Sequence, residues 1–343
     1  MLQRITIIFL SVILFLSCSE KDDSEKEIIR IGFSAASETF LLERWDRDIK
    51  IFMHTARELG AEVIFAKSPG NALDQIPQIQ YLLKQDIDVL VVIPQDKVLL
   101  GGVVQKTMDR GIPVLSYDRP IMDVPITGYV SFDNHEVGRL LSSALISRVP
   151  VGNYIIVNGS IHDNNSFQVN NGVHEILDPF IEKGDIKVID EIWLELWSYD
   201  EALVEIGKVL DRTEDIQAIS AANDLIAQAA VRLLSERQLA GKVAVVGQDA
   251  DLVSCQSIVE GTQLMTVYKP IQKMAARAAG LAVSMAKNDM PEPDRYIDNN
   301  SSKEIPFYVD TPIPVYRENL DSTVISDGFH SREDVYRNAT GQN

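Results

Sequence analysis

"DVLVVIP", residues 88–94, is followed by "LLGGVVQKTMDRG", residues 99–111, and then by "IPVLSY", residues 112–117. The first segment is apolar at nearly every position, as a parallel strand covered on both faces should be. The second reads as a helix that stops at Gly111, and the third as a strand again. A strand, a helix and a second strand in this order make a right-handed parallel crossover unit. Right after the last strand come Asp118 and Arg119, two opposite charges where an apolar run has just ended.

The same rhythm extends outward in both directions. Upstream stand the strand "IIRIGFS", residues 28–34, the helix "RWDRDIKIFMHTARELG", residues 44–60, the strand "AEVIFA", residues 61–66, and the helix "LDQIPQIQYLLKQ", residues 73–85. In the first helix Trp45, Ile49, Phe52, Ala56 and Leu59 recur at spacings of four and three, and Gly60 ends it. Downstream, five more strands alternate with helices, from "NYIIVNG" at 153–159 to "QLMTVYK" at 263–269 and the long helix at 271–288. About ten strands are many for one sheet, so two sheets of five or six are expected. The alternation breaks at "ITGYVSFDN", residues 126–134, with no Pro- or Ser-rich linker. The expected fold class is α/β, with two doubly wound parallel-sheet lobes in close contact.

The chain of 343 residues, with a 45% apolar fraction, suits two folded domains. Its formal net charge of −18 argues against nucleic acid, whose phosphates it would repel. The first residues, "MLQRITIIFLSVILFLSCSE", combine Arg4 with an apolar run from Ile5 to Leu16, too short to span a bilayer comfortably. They read as a secretory signal over 1–17. Ser17 and Cys18 resemble the lipobox of bacterial lipoproteins, which implies cleavage before Cys18 and a lipid on its sulfur. A charged tether over 18–27 would follow, placing the protein in the periplasm or at the cell surface. With Cys18 lipidated, Cys255 is left alone, and it reads as a small buried hydrophobe. Neither cysteine nor any of the five histidines falls in a metal-ligand spacing, so no metal and no cofactor is expected.

In open α/β sheets ligands bind at the carboxyl ends of strands. Those ends carry Arg44 and Trp45, Asp118 and Arg119, Asn165, Trp197, Asn223, Asp249 and Lys269. Singly, Asn223 and Asp249 suit helix caps, Asp118 with Arg119 suits a surface pair, and Trp45 suits core packing. Together they suit a neutral sugar: amides and charges hydrogen-bond hydroxyls, and indoles stack on a pyranose ring. No GxGxxG or GxxxxGK[ST] phosphate loop is present, and no GxSxG nucleophile elbow. Paired carboxylates could serve a glycosidase. Here Arg44, Arg119 and Lys269 balance them, which favours ionised acceptors over a protonated acid. The expected protein is therefore not an enzyme.

The strings "LERW", "LSYDRP", "YVSFDN", "DNN", "AAND", "GQDADL", "GTQLMTVYKP" and "TVISDGFH" stand in one order along the chain. In that order the chain resembles the D-xylose-binding proteins of bacterial ABC transporters, from about residue 28 to 330. The resemblance implies two lobes joined by a three-segment hinge, the type I periplasmic binding architecture. The lobes would comprise residues 28–132 with 270–307, and 133–269 with 308–343. It implies that Arg44, Asp118, Arg119, Asn165, Asn223, Asp249 and Lys269 bind sugar hydroxyls and that Trp45 and Trp197 sandwich the ring. A monomer delivering D-xylose to an ABC permease is the function implied. A sensor showing its closed form to a histidine kinase or chemoreceptor is the alternative. The loop "SAASETFLL", residues 34–42, departs from the family's pattern and leaves another pentose or glucose open as the ligand.

Overall fold

The computed structural model describes residues 28–35, 42–67 and 71–338, with side chains in the first helix from residue 47 onward. The signal, the tether and Cys18 lie outside the described residues, as does most of the loop 34–42.

The chain opens with β1 (Ile29–Ala35), α1 (Leu42–Glu58), β2 (Ala61–Lys67), α2 (Ala72–Leu82), β3 (Val89–Ile93), α3 (Gly101–Met108), β4 (Val114–Tyr117) and β5 (Gly128–Phe132). Every residue of β3, β4 and β5 is buried. That burial is why the opening stretch reads as a continuous apolar run instead of alternating. Helix α2 starts earlier than the sequence suggested, because Asn71 caps it: its side chain accepts from the Leu73 N–H while Asp74 bonds back to the Asn71 N–H. Pro77 therefore lies within the helix.

The second half contains α4 (Asn134–Arg148), β6 (Gly152–Ser160), α5 (Asn164–Lys183), β7 (Ile186–Leu194), α6 (Tyr199–Leu210), β8 (Ala218–Ala221), α7 (Asp224–Glu236), β9 (Ala244–Gln248), α8 (Leu252–Glu260) and β10 (Met265–Tyr268). Helix α9 (Ile271–Ala286) then returns to the first lobe. Its Met274, Ala278 and Ala282 join Phe33, Phe52 and Tyr308 in that lobe's core. The tail supplies β11 (Arg295–Ile297), β12 (Ile305–Asp310) and β13 (Ile313–Val315).

Two sheets result. One has seven strands in the order β11-β12-β5-β4-β3-β1-β2, the other six in the order β13-β10-β9-β8-β6-β7. Both are doubly wound and parallel except at one edge each, where β11 pairs antiparallel with β12 and β13 pairs antiparallel with β10. The sequence reading missed β5 and the tail strands, because they are connected by short irregular segments instead of helices. The chain passes between the sheets three times: at Asp133, at Lys269–Pro270 and at Thr311–Pro312. Strand β12 stays in the first sheet to Asp310, past the limit of 307 expected from sequence.

Helices α4 and α5 cross at van der Waals contact, which their glycines allow. A Cβ on Gly138 would lie 1.9 Å from the Val169 carbonyl, and one on Gly172 would lie 1.9 Å from that of His135.

Candidate functional site: a polar hollow between the lobes

The carboxyl ends of both sheets face one another, and one hollow lies between them. Asp118, Arg119, Asp163, Asn165, Trp197, Asn223, Gln248, Asp249 and Lys269 line it, and it encloses about 320 Å³, counting the part open to solvent. Seven of the nine residues singled out from the sequence therefore meet in one place. The other two, Arg44 and Trp45, lie in the first turn of α1 by backbone, and their side chains are outside the described residues.

Asp118 and Arg119, the charges that end β4, do not form an exposed pair. They are 4% and 3% exposed. Asp118 sits at φ 63°, a left-handed conformation that Asp tolerates better than most residues. This turns its carbonyl toward three donors: Tyr129 Oη at 2.9 Å, Ser131 Oγ at 2.7 Å and, from the other lobe, Asn165 Nδ2 at 3.0 Å. Burial raises the Tyr129 phenol well above its ordinary pKa, so it stays a donor. Arg119 reaches across the cleft, with Nε 2.8 Å from Asp163 Oδ2.

Asp163 organises the second lobe's side. Its Oδ1 accepts from the Asn165 N–H at 2.9 Å and caps α5. Its Oδ2 receives Arg119 and also the Trp197 indole Nε1 at 3.1 Å. Trp197 lies flat against Gly159, where a Cβ would sit 2.2 Å from the ring. Only glycine leaves room for the indole there. One ring face is spent on the protein backbone, and the residue still lines the hollow.

Asn223 is both a cap and a lining residue. Its Oδ1 accepts from the Ile226 N–H at 3.0 Å, which leaves its side-chain N–H donors to serve the hollow. Asp249 and Ala250 both have positive φ, 99° and 55°, a strain found where structure holds functional groups in place. Lys269 Nζ lies 3.2 Å from Asp249 Oδ1. Asp251 begins α8 without a side-chain cap bond. Behind this wall, Asp224 is fully buried and held by Thr266, Gln263 and the Asp251 N–H. Burial, and then the charges of Asp251 and Asp249, push its carboxyl well above the usual range.

Two lining residues, Asp163 and Gln248, were not singled out from the sequence. Asp163 begins the "DNN" string at a helix start, and Gln248 ends β9 as if it were only a strand residue. Gln248 Nε2 donates to the Ala222 carbonyl, while its buried Oε1 has no partner among the described residues.

A sequence profile described as the periplasmic binding protein domain matches residues 43–290. The chain belongs to the periplasmic binding protein family. Within that family it is 40% identical over 309 residues to the D-xylose-binding periplasmic protein of Haemophilus influenzae, covering 90% of this chain and 92% of that one. It is 41% identical over 308 residues to the protein of the same description from Escherichia coli, with the same coverage. Among solved structures, a carbohydrate transporter solute-binding protein from Chloroflexus aurantiacus, in complex with D-glucose, superposes with a TM-score of 0.82. That likeness covers 89% of this chain and 97% of the other at 24% identity, and establishes the shared fold.

Proposed function

We propose that this chain binds D-xylose in the hollow between its lobes and delivers it to an ABC permease. One observation carries the reading: two lobes present buried, ready-oriented polar groups to one small hollow, beside an indole seated by a glycine. Asn223 N–H and Lys269 would donate to hydroxyls, Asp118, Asp249 and the Gln248 carbonyl oxygen would accept, and Trp197 would cover an apolar ring face. Arg44 and Trp45, carried by α1, would complete the shell. The names of the relatives at 40–41% identity support xylose over other sugars.

Binding requires no covalent step. Sugar touching both lobes shifts the population toward the closed form. Micromolar affinity corresponds to about −8 kcal/mol, within reach of several hydrogen bonds of ~1 kcal/mol each plus ring stacking. Titration with D-xylose, D-ribose, D-glucose and xylitol, followed by calorimetry, tests this. D-Xylose is expected to bind most tightly, and no binding of any of them sinks the reading.

Cleavage before Cys18 and its lipidation would anchor the protein to a membrane, in the periplasm or at the cell surface. Mass spectrometry of the natural protein is expected to find an acylated N-terminal cysteine. The rival reading, presentation of the closed form to a kinase or chemoreceptor, predicts capture of such a receptor, and no permease, in a membrane pull-down.

A further inference from the structure

Away from the hollow, the segment joining β3 to α3 reaches the other lobe. Asp96 Oδ1 accepts the N–H groups of Val98 and Leu99, both at 2.8 Å, and folds this segment into a fixed turn. The turn presents Lys97. The Lys97 N–H bonds the His162 carbonyl at 3.0 Å, and its Nζ bonds the Ile161 carbonyl at 3.0 Å. The same ammonium sits 3.8 Å from the centroid of the Phe167 ring. Phe167 in turn packs on Trp193 at 4.8 Å. Ile161 and His162 immediately precede Asp163, and none of Lys97, Ile161, His162 or Phe167 lines the hollow.

We propose that Lys97 is a positioning residue for sugar binding: it latches the β3–α3 turn to the β6–α5 turn in the closed form and sets affinity without touching the ligand. The inference rests on the sugar-binding reading above. The latch joins groups on opposite lobes, so it exists only when they are together. Its free energy therefore raises the closed fraction, and apparent affinity scales with that fraction. Lysine suits the task because one ammonium can serve a carbonyl and an aromatic face at once. The latch also holds the two residues ahead of Asp163, so closure and the placement of Asp163 against Arg119 and Trp197 come together.

Lys97→Met keeps the aliphatic stem and the backbone bond while removing the ammonium, and Phe167→Leu removes the ring face while keeping an apolar side chain. Each full-length variant is titrated with D-xylose, with stopped-flow dissociation rates, small-angle scattering with and without sugar, and the unfolding midpoint of the sugar-free protein. Lys97→Met is expected to bind about tenfold more weakly, through faster dissociation, with a less closed sugar-bound form and an unchanged sugar-free unfolding midpoint. Phe167→Leu should show the same pattern at smaller amplitude. Wild-type binding with unchanged affinity and dissociation in Lys97→Met overturns this inference alone. A wild type that binds no sugar overturns the proposed function and the latch with it.

Discussion

Arg119 and Asp163 form an ion pair of 2.8 Å across the two lobes, and both are almost completely buried. A pair this deep gains its Coulomb energy only by giving up hydration, so removing one partner is costly while the pair itself is nearly balanced. Asp163→Asn should therefore lose far more than one hydrogen bond. It takes a carboxylate away from the buried Arg119 in the closed form, weakens the hold on Trp197, and costs about 3–5 kcal/mol of closed-state stability. Xylose affinity is expected to fall by at least about a hundredfold in calorimetry, because the cost falls on the closed state.

Gly159→Ala tests the seat of the indole. The added methyl would sit 2.2 Å from the Trp197 ring, so the ring must move. Affinity is expected to drop roughly as far as in Trp197→Ala, with a shifted Trp emission maximum in the sugar-free protein. A variant with wild-type affinity and emission would show that the indole has no need of the glycine.

Asn223 allows capping and ligand contact to be separated. Asn223→Asp keeps an oxygen for the Ile226 N–H and removes the donors that face the hollow. Stability should hold while affinity falls by roughly tenfold or more. Asn223→Ala should lose both, with about 1 kcal/mol off the unfolding free energy. Denaturant melts beside sugar titrations of the two variants check this.

His174 offers a pH signature distant from the hollow. A hydrogen bond to Glu191, 3.2 Å away, raises it to about 9 against the opposing effect of burial, and Asp178 at 2.8 Å adds to the rise. Glu191 is lowered by the same His174 bond. Because the His174 value is raised on folding, its contribution is complete below its ordinary 6.5 and is lost as pH climbs toward about 9. The Glu191 contribution runs the other way, present above its ordinary 4.5 and lost as pH falls through the lowered value. The pair is partly exposed, so screening keeps the total below about 3 kcal/mol. Unfolding free energies measured from pH 6 to 9.5 should decline more steeply in the wild type than in His174→Gln.

The fold class was legible because β3 and β4 are buried along their whole length and therefore read as unbroken apolar runs on either side of a helical segment. Strand β5 was harder, since its pattern in "ITGYVSFDN" adjoins a hinge and has no following crossover helix in its own lobe. The site was legible where polar residues end strands: Asp118, Asn223 and Asp249 all do so. Sequence alone could not bring Arg119 to Asp163, because that contact joins two turns on opposite lobes and depends on closure. Nor could it mark Gln248, whose role follows from a carbonyl oxygen left unpartnered once the Ala222 bond is made. Gly159 carried no visible signal, as its meaning lies in the flat approach of a side chain from a distant loop.

The tail has a consequence for how the molecule assembles. Strands β11 and β12 complete one sheet and β13 completes the other, and Thr311 with Pro312 joins β12 to β13. Neither half can close its edge from the residues that precede it in the chain. A nascent polypeptide thus exposes two unfinished sheets until its last segment emerges, and both lobes become complete in one late, shared event instead of in succession.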